Sequence, residues 1–345
     1  MEMSYFSIQG QIVILVLSTI IGLIIGSFLN VVILRLFSGE SIVFPGSKCP
    51  KCSHPIAWYD NIPVISYLLL RGKCRNCKEP ISIQYPIVEI ATGLIFLLST
   101  FYFGITLKLL FMLILLCALI VITATDLKEQ VIFDITSIPL IPIGLIYNFF
   151  NIGQTATSHI KFFGLTLNDA FLAAVAGAIL GALFFELFAR VGTVLVGQRA
   201  FGGGDSIIAA ALGAWFGWKY LIVIIILSFV VQLLVGIPVI FYNMYKDKDF
   251  KSLGYMGILM LSLVVAVASR LFGLTNHFLG ALLVTIISFG LAGYGVFGVL
   301  SRLKERKTYT LLPFGPALVI GGIVVTFWGP TVIKFFASSI HLLQG

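Results

Sequence analysis

Two aspartates stand at the edges of apolar blocks: Asp126 ends one block, and Asp205 begins another after the glycines 202–204. Ionisable groups at membrane depth are costly and are functional-site candidates by default. Two carboxylates that share a proton can activate water, because one acts as base toward the water and the other protonates a carbonyl. The glycines allow close backbone approach. The pattern predicts a water-splitting aspartate pair, with helix N-capping as the simpler alternative for Asp205.

Two other acids have structural interpretations. Asp134 directly precedes the apolar block that starts at Ile135, so we predict that it N-caps a helix. Glu186 lies four residues before Arg190, a spacing that favours an ion pair on one helix face.

Four of the five cysteines form two CxxC pairs in one polar segment, Cys49 with Cys52 and Cys74 with Cys77. This spacing lets four thiolates close a tetrahedron around one zinc ion. A site filled by four cysteines has no open position for a reacting water, so we predict a structural zinc that supplies much of the loop's folding free energy. His54 is interpreted as an ordinary loop residue.

The chain that must position these groups has the composition of a membrane protein. Hydrophobic residues make up 59% of 345 positions and charged residues 10%, against about 25% charged in soluble domains. The first apolar block, 12–34, is long enough to cross a hydrocarbon core and is interpreted as a retained span, not a cleaved signal peptide. We therefore predict an all-α polytopic membrane protein with a small zinc-bound loop domain.

Basic side chains dominate the polar segment 37–85, where six Lys and Arg residues accompany three acids. By the positive-inside rule this loop is cytoplasmic and the N-terminus lies outside. Disulfides do not persist in a reducing cytoplasm, which favours zinc over disulfide pairing. Such loops also account for the net charge of +8, and no basic stripe interleaved with aromatics indicates a nucleic-acid partner.

The apolar blocks satisfy the loop charges if the chain makes ten crossings, with the long block 206–242 divided by a turn near Lys219. Asp126 and Asp205 then reach the same, cytoplasmic face. The predicted spans are 12–34, 86–103, 107–125, 135–150, 170–191, 206–218, 219–242, 256–272, 278–300 and 313–336.

Several motifs together resemble the type IV prepilin leader peptidases, GxGD-type aspartic peptidases that cleave and then N-methylate pilin precursors. The first half carries Gly26-Ser-Phe-Leu-Asn-Val-Val-Ile33, Trp58-Tyr-Asp-Asn-Ile-Pro63 and Tyr85-Pro-Ile-Val-Glu89 around the cysteine pairs. The peptidase half matches at Asp126 with Asp134 eight residues later, at Phe201-Gly-Gly-Gly-Asp205 and at Leu212-Gly-Ala-Trp215. The last span matches at Leu312-Pro-Phe-Gly-Pro316.

The resemblance implies that Asp126 and Asp205 are the catalytic pair, with Gly202, Gly204 and Asp134 in support. It implies S-adenosylmethionine as methyl donor, and prepilin or pseudopilin substrates whose short basic leader ends in Gly before a hydrophobic helix. The expected location is the bacterial inner membrane, with the active site at the cytoplasmic face. No glycine-rich loop of the soluble methyltransferase kind follows a strand, so no donor-binding residue is predicted.

The predicted sections are a first span (1–36), a cysteine loop associated with methyl transfer (37–85), a peptidase core (86–242), an inserted pair of spans (243–310) and a last span (311–345). The insertion departs from the family pattern, as do Ile207, where a Lys is common, and Phe133, where a Pro is usual. Two alternatives remain open: a peptidase without methyl transfer, and a cation transporter. Against the transporter, both aspartates are expected at one face of the membrane.

Overall fold

The computed structural model describes residues 7–150, 152, 159–162, 165–196, 201–246, 248–271, scattered positions between 284 and 298, and 313–342. Helices dominate these residues. In chain order they are α1 (Ile8–Ser38), a 3-10 turn (Trp58–Asp60), α2 (Ile65–Leu69), α3 (Gln84–Phe103), α4 (Leu107–Glu129), α5 (Asp134–Ser137), α6 (Leu140–Phe149), α7 (Asp169–Val196), α8 (Gly203–Lys246), α9 (Phe250–Leu271) and α10 (Gly315–Leu342).

Six of these helices, α1, α3, α4, α7, α8 and α10, are long and apolar enough to cross a membrane. They confirm the predicted multi-pass helical fold. The tally of ten crossings stays a prediction, because α5 and α6 together make a shorter apolar helix and span 278–300 lies largely outside the described residues. Two short strands were not predicted: His159–Phe162 pairs antiparallel with Leu165–Asn168.

Close glycine contacts hold α1 against α3. A Cβ at Gly22 would lie 2.7 Å from the Cβ of Phe96, and one at Gly26 would lie 2.7 Å from the Cα of Glu89. Ser18 adds a hydrogen bond of 2.6 Å to Thr100. Small residues let helix backbones approach in a membrane, where lipid tails give no hydrophobic drive for association. Gly22 and Gly26 therefore set how closely the two helices pack.

The helix α8 contains a break at Gly217, whose φ of 75° and ψ of 169° are not helical. A Cβ at Gly322 on α10 would contact Leu212, before the break, and one at the adjacent Gly321 would contact Ile224, after it. Residues 212 and 224 would lie roughly 18 Å apart along a continuous helix. The chain therefore reverses at Gly217, which agrees with the predicted turn near Lys219.

An asparagine caps the helix that stops at this break. Carbonyl groups in a last helical turn have no partner within the helix. The Asn148 side chain donates hydrogen bonds of 2.9 and 3.0 Å to the carbonyls of Ala214 and Trp215. Asn168 in turn donates to the carbonyl of Asn148 at 3.0 Å. These buried amides connect the end of α6, the start of α7 and the Gly217 turn.

The chain forms two compact units. One comprises 1–184, 203–228 and 313–345; the other comprises 185–202 and 229–312. The second unit contains the predicted ion pair, in which Arg190 Nε lies 2.9 Å from Glu186 Oε1. Both candidate aspartates and all four paired cysteines belong to the first.

Gly213 gives a test of the packing between α7 and α8. A Cβ at Gly213 would collide with the backbone of Gly177, so we expect Gly213→Ala to destabilise the protein by about 1–3 kcal/mol. Gly257→Ala on α9 is the matched control, because nothing lies within 4 Å of its added Cβ. Thermal unfolding in detergent is the measurement. An equal midpoint for the two variants would contradict the close contact.

Candidate active site and metal centre

Asp126 lies in the last turn of α4 and is 4% exposed. Gln130 caps the end of this helix, and its left-handed conformation lets its amide donate to the carbonyl of Asp126 at 2.9 Å. The backbone amide of Gly315, the first residue of α10, donates a hydrogen bond to the carboxylate. The positive end of the α10 dipole therefore faces this acid.

Gly315 is a site residue to which sequence reasoning assigned no role. Any Cβ at this position would collide with Asp126 Oδ2. The glycine thus lets the start of α10 reach the carboxylate. Its position inside the motif Leu312-Pro-Phe-Gly-Pro316 was the available signal, but motif membership gave no contact.

Asp205 is 7% exposed and lies in the first turn of α8, which begins at Gly203. Asp205 is therefore not the N-cap, and the simpler alternative considered for it is wrong by position. A Cβ at Gly204 would lie 2.6 Å from Ile132, whereas one at Gly203 would meet nothing within 4 Å. Two glycines, Gly202 and Gly204, were expected to support the site. Gly204 is the one for which a close packing contact explains the need for glycine. Gly202, just before α8, is exposed.

Ile132 brings the two acidic turns together. Its side chain would contact a Cβ at Gly204, next to Asp205, and its Cδ1 would lie 3.5 Å from a Cβ at Gly315, which touches Asp126. Asp126 Oδ2 and the hydroxyl of Ser206 are buried with no hydrogen-bond partner in the described part of the chain. Such atoms cost about 1–3 kcal/mol each unless water or a ligand binds them. Water bound at these atoms would satisfy them.

Asp134 is not part of this buried group. It is exposed and is the first residue of α5, while Phe133 occupies the N-cap position without a side-chain cap. The predicted N-cap is therefore wrong by one residue. The carboxylate stands in the first turn, where the helix dipole favours a negative charge.

The aromatic end of α1 borders the loop after α4. The rings of Phe37 and Phe133 lie 5.2 Å apart edge to face, and the Lys128 ammonium lies 4.7 Å from the Phe37 ring centre. A basic side chain thus stands two residues beyond Asp126 on the sequence. Sequence reasoning had noted a missing charge at Ile207 but had not considered Lys128.

The two CxxC segments fold as matching knuckles. The Cys49 amide bonds the carbonyl of His54 at 2.9 Å, and the Cys74 amide bonds that of Glu79 at 2.8 Å. Ser53 and Lys78 occupy the equivalent positive-φ position, at 57° and 62°. Each knuckle is a local turn, so the spacing of its two cysteines is enough to predict its geometry.

The four predicted ligands come together. Their sulfur atoms all lie within 4.8 Å of one another, and Cys49 Sγ is 3.9 Å from Cys77 Sγ. A tetrahedral site with Zn–S bonds of about 2.3 Å needs sulfur separations of about 3.8 Å. All four thiols are free of disulfides. Cys49, Cys52, Cys74 and Cys77 therefore fit a zinc ion.

Backbone amides prepare these sulfurs for metal. The amides of Cys77 and Asn76 lower the pKa of Cys74 to about 7, and the amide of His54 lowers the pKa of Cys52. The amide of Glu79 acts in the same direction on Cys77, but desolvation and the neighbouring thiols outweigh it and raise that pKa to about 12. A cation at the centre is what would let all four ionise together.

Charged side chains hold the loop together and connect it to α3. Arg75 forms a bidentate pair with Asp60, through bonds of 2.7 Å from Nε and 2.6 Å from its terminal nitrogen. This guanidinium lowers the pKa of the Asp60 carboxyl. Glu89 on α3 accepts a 2.7 Å hydrogen bond from the amide of Val64, which has a positive φ of 60°.

The fold and sites define a class: a multi-pass helical membrane protein with buried acids at two helix ends and a separate four-cysteine loop. Residues 20–103 match the bacterial peptidase A24 N-terminal domain, and residues 113–237 match the type IV leader peptidase family. The chain belongs to the type IV leader peptidase family, which confirms the predicted resemblance.

Curated relatives support this assignment. Each of three is named prepilin leader peptidase/N-methyltransferase. One from Pseudomonas putida is 32% identical over 99% of this chain and 96% of its own length. One from Klebsiella pneumoniae is 40% identical over 58% of this chain and 84% of its own. One from Myxococcus xanthus is 37% identical over 63% of this chain and 61% of its own. No solved structure matches the chain.

Proposed function

We propose that this chain is an aspartic peptidase that cleaves the leader from type IV prepilins or pseudopilins, and then N-methylates the new N-terminus. The observation that carries the peptidase is that Asp126 and Asp205 are both buried and that Ile132 lies beside the glycines next to them, Gly315 and Gly204. The name shared by the relatives supports both activities.

In this proposal one carboxylate removes a proton from a water that attacks the scissile carbonyl, while the other protonates the carbonyl oxygen. The Gly315 amide and the N-terminus of α10 face the Asp126 carboxylate. Either carboxylate can start the cycle as the base, because the pair shares one proton. The carboxyl group that took a proton from the water then gives it to the leaving amine as the peptide bond breaks.

The cysteine loop, 37–85, would hold zinc through its four thiolates and serve methyl transfer. Four sulfur ligands fill the metal, so its contribution is to fold the loop and not to activate water. S-adenosylmethionine would supply the methyl group, which the amine left by cleavage would accept. For the other sections we propose the limits predicted from the sequence: 1–36 for the first span, 86–242 for the peptidase core, 243–310 for the inserted pair of spans and 311–345 for the last span. We place the chain in the inner membrane, with its active site at the cytoplasmic face.

One assay tests both activities. The purified chain is incubated with a synthetic prepilin and methyl-labelled S-adenosylmethionine, and mass spectrometry measures leader loss and a mass gain of one methyl. Cleavage with an unmethylated product would support the peptidase-only alternative. An uncleaved prepilin, with zinc present in the chain, would exclude the proposed peptidase.

We also predict that the inserted section is not needed for chemistry. Most of 272–312 lies outside the described residues, but both aspartates belong to the unit that excludes 229–312. Replacing 246–306 with a short polar linker removes two predicted crossings together and should leave cleavage in detergent within the same order of magnitude. Lost cleavage in a variant that inserts and retains zinc would show that the insertion shapes the active site.

A further inference from the structure

A groove of about 700 Å³ runs between α1 and the polar loop that follows it. Neither aspartate lines it, so it is separate from the candidate active site. Its volume falls in the range of about 300–1,000 Å³ that small-molecule sites occupy. The loop wall includes Val43, Pro45 and Pro63.

The helix wall is a single stripe. Ile20, Ile24, Phe28, Val31 and Arg35 follow one another at spacings of three or four residues, so they share one face of α1. Ile20, Ile24 and Phe28 are 47%, 55% and 47% exposed, so the helices that the structure describes leave this part of the stripe largely uncovered. An apolar track therefore leads along the helix to a single cation.

Arg35 is built into the end of this track. It is 9% exposed, and its two terminal nitrogens donate to the carbonyls of Ser41 and Pro45. In the described part of the chain no carboxylate pairs with it. A buried guanidinium has five donors and is costly without a counter-charge. The two carbonyls satisfy donors of Arg35 but carry no formal charge, so an anion in the groove would supply the counter-charge.

The level of Arg35 in the bilayer indicates which anion. The apolar block of α1 ends at Leu34, so Arg35 stands where hydrocarbon gives way to headgroups. We propose that the groove binds an anionic phospholipid, with an acyl chain along Ile20, Ile24 and Phe28 and its phosphate on Arg35. A phospholipid offers both an acyl chain and a phosphate at this depth. The proposal does not depend on the catalytic one.

Native mass spectrometry of the purified chain, with equal phosphatidylglycerol and phosphatidylcholine, tests this site. We expect the wild type to retain phosphatidylglycerol about fivefold or more in preference, since one basic group near the surface contributes about 1 kcal/mol. Arg35→Gln should abolish the preference. Lys128→Gln, which removes a charge outside the groove, should keep it.

A second variant tests lipid binding without the risk that Arg35→Gln fails to fold. Ile24→Trp fills the track but leaves Arg35 and its loop contacts in place, and it should lose the retained lipid while zinc content stays unchanged. Equal retention of the two lipids by the wild type, or an unchanged preference in Arg35→Gln, would overturn the proposal. So would displacement of the lipid by inorganic phosphate alone, or occupation of the groove by a prepilin helix in its place.

Discussion

Asp126→Asn and Asp205→Asn should each lower the rate of leader cleavage by about 10³-fold or more. Both carboxylates are buried, at 4% and 7% exposure, and asparagine keeps their shape while removing the proton-exchanging oxygen. Loss of either proton site disables a pair that must act as base and acid together. The measurement is the initial rate of leader release from a synthetic prepilin in detergent.

Asp134→Asn is the matched control for these variants. Asp134 is exposed, unlike the two buried acids, so its variant should lose far less cleavage than theirs. Retained zinc and an unchanged tryptic pattern would show that the inactive variants are folded. Near-normal cleavage by Asp126→Asn or Asp205→Asn would falsify the assignment of the pair.

Cys49→Ala should lower bound zinc from about one ion per chain to near zero, because three sulfurs hold the metal far less tightly. Cys49 is the buried member of the cluster, 3.9 Å from Cys77. Loss of metal should unfold the knuckles and abolish methylation, while cleavage falls less because the aspartates lie on separate helices. Elemental analysis and the labelled-methyl assay are the two measurements.

Cys117→Ala is the matched control, because this fifth cysteine lies on α4 outside the cluster. It should keep full zinc and both activities. A wild-type chain with four free thiols and no zinc would contradict the metal site. Equal loss of cleavage and methylation in Cys49→Ala would instead show that the loop supports the peptidase too.

The predictable features of the site are those encoded over short stretches of chain. CxxC knuckles are local turns closed by hydrogen bonds five residues apart, so cysteine spacing was enough to predict the cluster. Five of the six long helices coincide with single predicted apolar blocks, since length and hydropathy decide what can cross a bilayer. The turn in the long block followed from loop charge, and its actual position is Gly217.

What the sequence by itself determined, then, was the family, most of the membrane helices, the cysteine cluster and the two acids at the edges of apolar blocks. The tertiary structure alone decided which residues complete these sites. Ile132 between Gly204 and Gly315, the Asn148 cap on the Gly217 turn and the buried Arg35 all depend on partners distant in sequence. The physical reason is that periodicity and spacing describe one element at a time. Contacts between elements depend on how closely particular glycines let their backbones approach.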